Sequence, residues 1–116
     1  MNGDAMTDPL SLTLAALADP TRRAMLLRLS QGVATVSDLA APFALSQPAI
    51  SKHIKVLERA GLVSRSKAAQ FRPCRLERAP LAQLTDFMDH FRQVTEGHLD
   101  QLATCLDTLQ ATGDPK

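Results

Sequence analysis

The chain has 116 residues with 13 Lys and Arg against 12 Asp and Glu, so the total charge of +1 favours no partner by itself. Hydrophobic residues make up 45% and aromatics only 3%, with neither Trp nor Tyr, which predicts one small, helix-rich domain whose core is built from aliphatic side chains. No apolar run reaches the ~18 residues of a membrane span, the N-terminal stretch lacks a leader's basic and apolar regions, and Cys74 and Cys105 form neither a disulfide framework nor a Cys-x-x-Cys motif, so a reducing, cytoplasmic setting is expected.

Residues 1–7 read as a disordered N-terminus, 8–110 as a single domain and 111–116 as a disordered tail. Asp8-Pro9 is an N-cap followed by the first helical position. The helix it opens carries a stripe of Leu10, Leu14 and Leu17, widened by Leu12, Ala15 and Ala16. That is more apolar surface than one small core needs, which predicts packing on a second subunit. Asp19-Pro20 repeats the signal and opens a second helix that stops at Gly32. Ala24 and Leu27 are expected inward, with Met25, Leu26 and Leu29 as further candidates. Arg22 and Arg23 lie in its first turn, where the helix dipole disfavours cations. They therefore need a partner, either an acidic side chain or a phosphate.

Thr35 and Asp38 have the spacing of a capping box. They start a short third helix with Leu39 and Phe43 inward, weakened at its end by Pro42. After a turn at Ala44-Leu45, Ser46 caps a longer helix that ends at Gly61. Ile50, Ile54 and Leu57 recur at i, i+4, i+7 and predict its buried stripe. Gln47, Ser51, Lys52, His53, Lys55 and Arg59 make the other side polar and basic. A short helix, a tight turn and a longer basic helix form a helix-turn-helix, in which the second helix enters a DNA major groove.

Beyond Gly61 the period changes. Residues 62–66 and 71–76 read as two strands around a tip at 67–70, a basic hairpin bearing Arg65, Lys67, Arg72 and Arg75, with Arg78 just past it. Such a hairpin directly after a helix-turn-helix is a wing, suited to flanking phosphates or the minor groove. From Pro80 to about Gln110 one long helix follows. Leu84, Met88, Phe91, His98, Leu102, Cys105 and Leu109 form its seam. A seam this long exceeds what a small monomer covers, so packing on a two-fold mate is expected. Residues 46–78 carry eight Lys or Arg against two Glu, a net +6, whereas 79–116 are net −4. The positive charge thus coincides with the second helix of the pair and the hairpin, the footprint of a polyanion-binding surface.

The run Leu17-Ala18-Asp19-Pro20-Thr21-Arg22-Arg23, the block from Leu45 to Ile54 (LSQPAISKHI) and Leu57-Glu58-Arg59-Ala60-Gly61-Leu62-Val63 resemble the ArsR-type bacterial transcription regulators. The resemblance extends over about residues 10–107. It implies a mostly α fold with a small β-hairpin, a winged helix-turn-helix of order α-α-α-α-β-β-α that dimerises through its first and last helices. It implies a sequence-specific, homodimeric repressor of a promoter with a two-fold operator. The partners implied are double-stranded DNA, a second copy of the chain and an effector of unknown identity. Gln47 and Ser51 match family positions that approach base edges, and a Gln amide suits adenine N6 and N7. Pro48 lies between them. Ser46, Lys52 and His53 are assigned to the backbone or a neighbouring base, Lys55 is counted with the DNA-binding residues, and Arg65, Lys67, Arg72 and Arg75 match the wing by location. The dimer interface is assigned to Leu10, Leu14, Leu17, Phe91, His98, Leu102, Cys105 and Leu109.

The family's metal motifs are missing. No Cys-x-Cys precedes the third helix, and the Asp-x-His and His-x-x-His pattern is reduced to Asp89-His90 and to His98 with Gln101. Metal binding by His90 and His98 across a dimer, and sensing through Cys105, remain open beside the simpler reading of surface and interface positions. No cofactor is called for. A winged-helix module that binds protein without specific DNA binding is the alternative function. An enzyme is disfavoured, because no nucleophile–base pair or Gly-rich phosphate loop is present.

Overall fold

The structure, a computed structural model, describes residues 8–67 and 72–113, with side chains as far as residue 110. The element order is α1 (Pro9–Leu17), α2 (Pro20–Leu29), α3 (Val36–Ala40), α4 (Gln47–Arg59), β1 (Val63–Arg65), β2 (Cys74–Leu76) and α5 (Ala79–Gly113). This is the mostly helical winged helix-turn-helix expected. The chain divides into two compact units, Met1–Leu84 and Thr85–Lys116.

Each of the first four helices starts on a side chain that accepts from an otherwise orphaned backbone N–H. Asp8 accepts from Ser11, Asp19 from Arg22, Thr35 from Asp38 and Ser46 from Ala49. At α3 the capping box is complete, since Asp38 also accepts from the Thr35 N–H at 3.1 Å. The Thr35 backbone N–H, followed by the Thr35 side chain, holds the Asp38 carboxyl below its ordinary value. α3 ends at Ala40, before Pro42, the residue expected to weaken its last turn.

α4 is the hub of the first unit: it packs against α1, α2, α3 and β1. Its Ile50, Ile54 and Leu57 are fully buried, as the i, i+4, i+7 spacing predicts. Each contributes roughly 1.5–3 kcal/mol of hydrophobic stabilisation. Ala16, Met25, Leu26, Leu29, Ala34, Leu39, Leu62, Val63 and Cys74 complete the core, with Phe43, Leu76 and Leu81 packed on its edge.

Two helices are set differently from the sequence reading. In α1 the buried residues are Thr13 and Ala16, while Leu14 is exposed and Leu17 only partly covered by the core. Thr13 satisfies its buried hydroxyl by donating to the Pro9 carbonyl at 3.1 Å. In α2, Met25, Leu26 and Leu29 point inward, whereas Ala24 is exposed and Leu27 is 70% exposed. Apolar residues surround this helix, so their spacing does not choose a face. Arg22 does: it is drawn toward α1 and α4, and Arg22, Met25, Leu26 and Leu29 share one side at i, i+3, i+4, i+7.

α4 ends in a two-bond cap. The Leu62 N–H donates to the Leu57 carbonyl at 3.0 Å, and the Gly61 N–H to the Glu58 carbonyl at 2.9 Å. Gly61 has φ +76°, which an L side chain rarely adopts. Leu57 and Leu62, both fully buried, supply the apolar contact of this motif. The chain then enters an antiparallel pair with Val63 opposite Leu76, Ser64 opposite Arg75 and Arg65 opposite Cys74. The strands are shorter than the expected 62–66 and 71–76. Arg72 has φ +45° and Pro73 has no N–H to give, so the ladder of β2 begins at Cys74. Residues 68–71 of the expected hairpin lie outside the described residues. Cys74 also pairs with Ala34 through both backbone groups, which ties the chain before α3 to the hairpin. Burial raises the Cys74 thiol above its ordinary value.

α5 runs to Gly113, so residues 111–113 continue the helix where a disordered tail was expected. Residues 1–7 and 114–116 lie outside the described residues. In the second unit no residue from Thr85 to Gln110 is buried. Phe87, Met88, Phe91, Val94, Leu99, Leu102, Leu106 and Leu109 are exposed along it, and the Phe87 and Phe91 rings stack with centroids 6.0 Å apart. Among the described residues no helix is long and apolar enough to cross a membrane.

Candidate nucleic-acid interface

Burial of Ile50, Ile54 and Leu57 orients α4 and leaves its opposite side to solvent. Ser46, Gln47, Pro48, Lys52, Lys55 and Arg59 are exposed and Ser51 is half-buried. Gln47, Ser51 and Lys55 recur every fourth residue, so amide, hydroxyl and ammonium follow one line along the helix. The Ser46 Oγ accepts from the Ala49 N–H at 3.3 Å and keeps its own hydrogen to donate. This surface offers donors of the kind that base edges and phosphates accept.

The cations assigned to the wing are not equivalent. Arg75 is 72% exposed, and Lys67 and Arg72 are exposed as well. Arg65 is only 19% exposed and turns to Glu58 at the end of α4, Nε to Oε2 3.3 Å. Its Nε makes no well-aligned hydrogen bond there, so the contact is ionic. Arg65 thus joins β1 to α4, which the sequence reading, counting it with the outward wing cations, did not foresee. On the strand side, Ser64 Oγ donates to Glu77, and this bond holds the Glu77 carboxyl below its ordinary value, with Arg75 adding to the effect.

His53 also differs from its neighbours on α4. Its side chain is 20% exposed, and its Nδ1 lies 3.1 Å from Arg22 Nη1 and 3.9 Å from Asp19 Oδ2. The two first-turn arginines of α2 turn their guanidinium groups to backbone carbonyls, a partner the sequence did not suggest. Arg22 donates to the carbonyls of Ala16 at 2.8 Å and Ala15 at 3.0 Å, and Arg23 to that of Leu17 at 2.7 Å. These oxygens lie at the C-terminal end of α1, the negative end of its dipole. The local conflict on α2 was the legible signal; its resolution by the neighbouring helix was not. Asp19 is held below its ordinary value chiefly by the Arg22 backbone N–H that it caps, and His53 and the Arg22 charge act the same way.

Of the residues assigned to a dimer interface, Leu14, Phe91, His98, Leu102, Cys105 and Leu109 are exposed, whereas Leu10 and Leu17 are half-buried. Among the described residues, no three His, Cys, Asp or Glu side chains are grouped to hold a metal ion.

A helix-turn-helix domain family matches residues 17–65, from the end of α1 to the end of β1. The HTH-type transcriptional regulator Rv2034 of Mycobacterium tuberculosis is 43% identical over 76 residues, covering 66% of this chain and 71% of that protein. A crystal structure described as the ArsR family transcriptional regulator RHA00566 superposes with a TM-score of 0.72 at 40% identity, covering 77% of this chain and 98% of that one. The chain belongs to the ArsR family. The transcriptional repressor SdpR of Bacillus subtilis is 41% identical over 56 residues, covering 48% of this chain and 62% of that protein. As an ArsR-family winged helix-turn-helix protein, the chain is a DNA-binding regulator of transcription.

Proposed function

We propose that this regulator is a homodimeric repressor that reads a two-fold operator with one α4 per half-site. The observation that carries the reading is the outer side of α4, where Gln47, Lys52 and Lys55 stand exposed over a fully buried aliphatic stripe. Gln47 and Ser51 read base edges, with Pro48 lying between them. Ser46, Lys52, Lys55, Lys67, Arg72 and Arg75 hold phosphates. The dimer forms through the exposed seam of Phe91, His98, Leu102, Cys105 and Leu109, joined by Leu10, Leu14 and Leu17. The length of that exposed seam supports a second copy as its cover. The setting is the cytoplasm, and an effector that loosens the grip on DNA is a further partner in this scheme.

Selection from random duplex DNA followed by footprinting tests the reading. The expected product is a two-fold site with half-sites one or two helical turns apart, and a single asymmetric footprint would overturn it. Gln47→Ala should relax preference at one base position. Arg75→Ala should weaken all duplexes alike and lower the salt dependence by about one counterion per subunit. Identical sequence profiles for the two variants would refute the division of roles. Sedimentation at micromolar concentration should show a dimer.

A further inference from the structure

The polar contact between α2 and α4 gives His53 a role different from that of its neighbours on the reading helix. Arg22 sits in the first turn of α2, where its charge opposes the dipole. Its Nε and Nη2 escape to the carbonyls of Ala16 and Ala15, acceptors at the end of α1. That leaves Nη1, fixed in direction by the planar guanidinium, 3.1 Å from His53 Nδ1. A guanidinium keeps its protons throughout the accessible pH range, so it is the donor. In this contact His53 Nδ1 is therefore the acceptor. Asp19, which caps α2, places its carboxylate 3.9 Å from the same nitrogen. One cation thus joins the end of α1, the start of α2 and the middle of α4.

We propose that His53 is a positioning residue: through Arg22 it sets the roll of α4 about its own axis, and it does not itself contact the duplex. This rests on the reading that α4 enters the groove. Ile50, Ile54 and Leu57 determine which side of α4 is inward, but apolar contact is non-directional and leaves small rotations weakly opposed. A roll of about 10° moves a side-chain tip about 5 Å from the helix axis by roughly 1 Å. Base-edge hydrogen bonds tolerate only a few tenths of an ångström. A directional bond at His53, within the span of α4 that carries Gln47, Ser51 and Lys55, resists that roll.

The test uses the full chain and a duplex selected with the unaltered protein, compared with a random duplex of equal length. His53→Asn puts an amide oxygen near the place of Nδ1 and keeps the acceptor. His53→Gln carries its polar atoms out to the level of Nε2 and loses it. Fluorescence anisotropy should show His53→Asn within about threefold of the unaltered protein on the selected duplex. His53→Gln and Arg22→Ala should be weakened about tenfold or more, as expected for a lost charge-assisted bond. Binding to the random duplex should change little in any of them. Arg22→Ala/His53→Ala should be no weaker than the poorer single variant, the signature of a shared interaction. Thermal melts accompany each measurement, and rescue by His53→Asn separates positioning from a general loss of fold. The opposite order, with Gln tolerated and Asn not, would show Nε2 on the DNA and overturn the proposal. Additive losses, or variants that all bind alike, would overturn it as well. Gln47→Ala serves as the separate control: if it leaves the selected site unaffected, the groove reading itself fails, whatever the His53 series shows.

Discussion

Ile54 and Leu106 are both aliphatic residues well inside long helices, yet Ile54 is fully buried and Leu106 is 58% exposed. The contrast extends to the units that hold them. In the first, capped helices converge on α4 and bury a continuous aliphatic core. The second is one amphipathic helix with no buried residue from Thr85 to Gln110. Apolar spacing alone does not distinguish the two, because a stripe made for a chain's own core and a stripe made for another molecule obey the same 3.6-residue period. Closing elements make the difference: the first unit carries N-caps, a left-handed glycine and a paired hairpin that fold the chain back on itself.

The most forceful way to break this comparison is to truncate both residues. Ile54→Ala should cost about 3 kcal/mol in chemical denaturation, at every protein concentration. Leu106 lies on the exposed helix beside the proposed seam, so the cost of Leu106→Ala should depend on concentration and shrink on dilution, because a helix covered by a second copy is stabilised by mass action. Equal, concentration-independent losses would merge the two units into one kind. Next in size, Leu102→Glu should yield a monomer in sedimentation and weaken binding to a two-fold duplex by about 100-fold, since the second half-site is no longer tethered. The spectrum of residues up to Leu84 should stay dispersed.

Local closures in the first unit come next. Gly61→Ala, at φ +76°, should destabilise by about 1–2 kcal/mol, and Thr35→Ala by about 1 kcal/mol, each read as a lower midpoint of unfolding. Acid should act on the same closures. Hydrogen bonds hold Asp8, Asp19 and Asp38 below their ordinary 3.8 and Glu77 below 4.5. The unfolded chain therefore takes up protons first. The stability these groups supply is complete above those ordinary values and is lost progressively as the pH falls through and below them. A denaturation midpoint that holds constant from pH 6 to pH 3 would contradict this. The mildest probe is thiol labelling. Cys74, buried with its thiol raised above the ordinary value, should react only through unfolding. Exposed Cys105 should react quickly in dilute protein and more slowly as concentration rises.

What the sequence revealed, and what it concealed, follows the same division between local and distant interactions. The caps at Asp8, Asp19, Thr35 and Ser46 were legible because each bond spans three residues. Gly61 and the Ile50-Ile54-Leu57 stripe were legible for similar reasons. The face of α2 was not, because Ala24, Met25, Leu26, Leu27 and Leu29 leave no polar side to mark solvent. Nor were the partners of Arg22 and Arg65. Arg22 meets carbonyls of another helix and a histidine 31 positions away, and Arg65 meets Glu58 across the cap. The donor-rich line of Gln47, Ser51 and Lys55 was readable from spacing alone. Which of the nearby cations would be committed internally was not, since that depends on three-dimensional neighbours.

The corner at Gly61 has a consequence for the DNA. Two backbone bonds, a backbone angle that L side chains avoid and the Glu58–Arg65 ion pair fix the direction in which the hairpin leaves α4. A protein jointed this stiffly cannot easily adjust the spacing between its groove probe and its flanking probe. In the binding mode proposed above, the double helix would have to supply the bend or groove width that lets both land together, so selected sites are expected to be enriched in compliant steps between the two contacts.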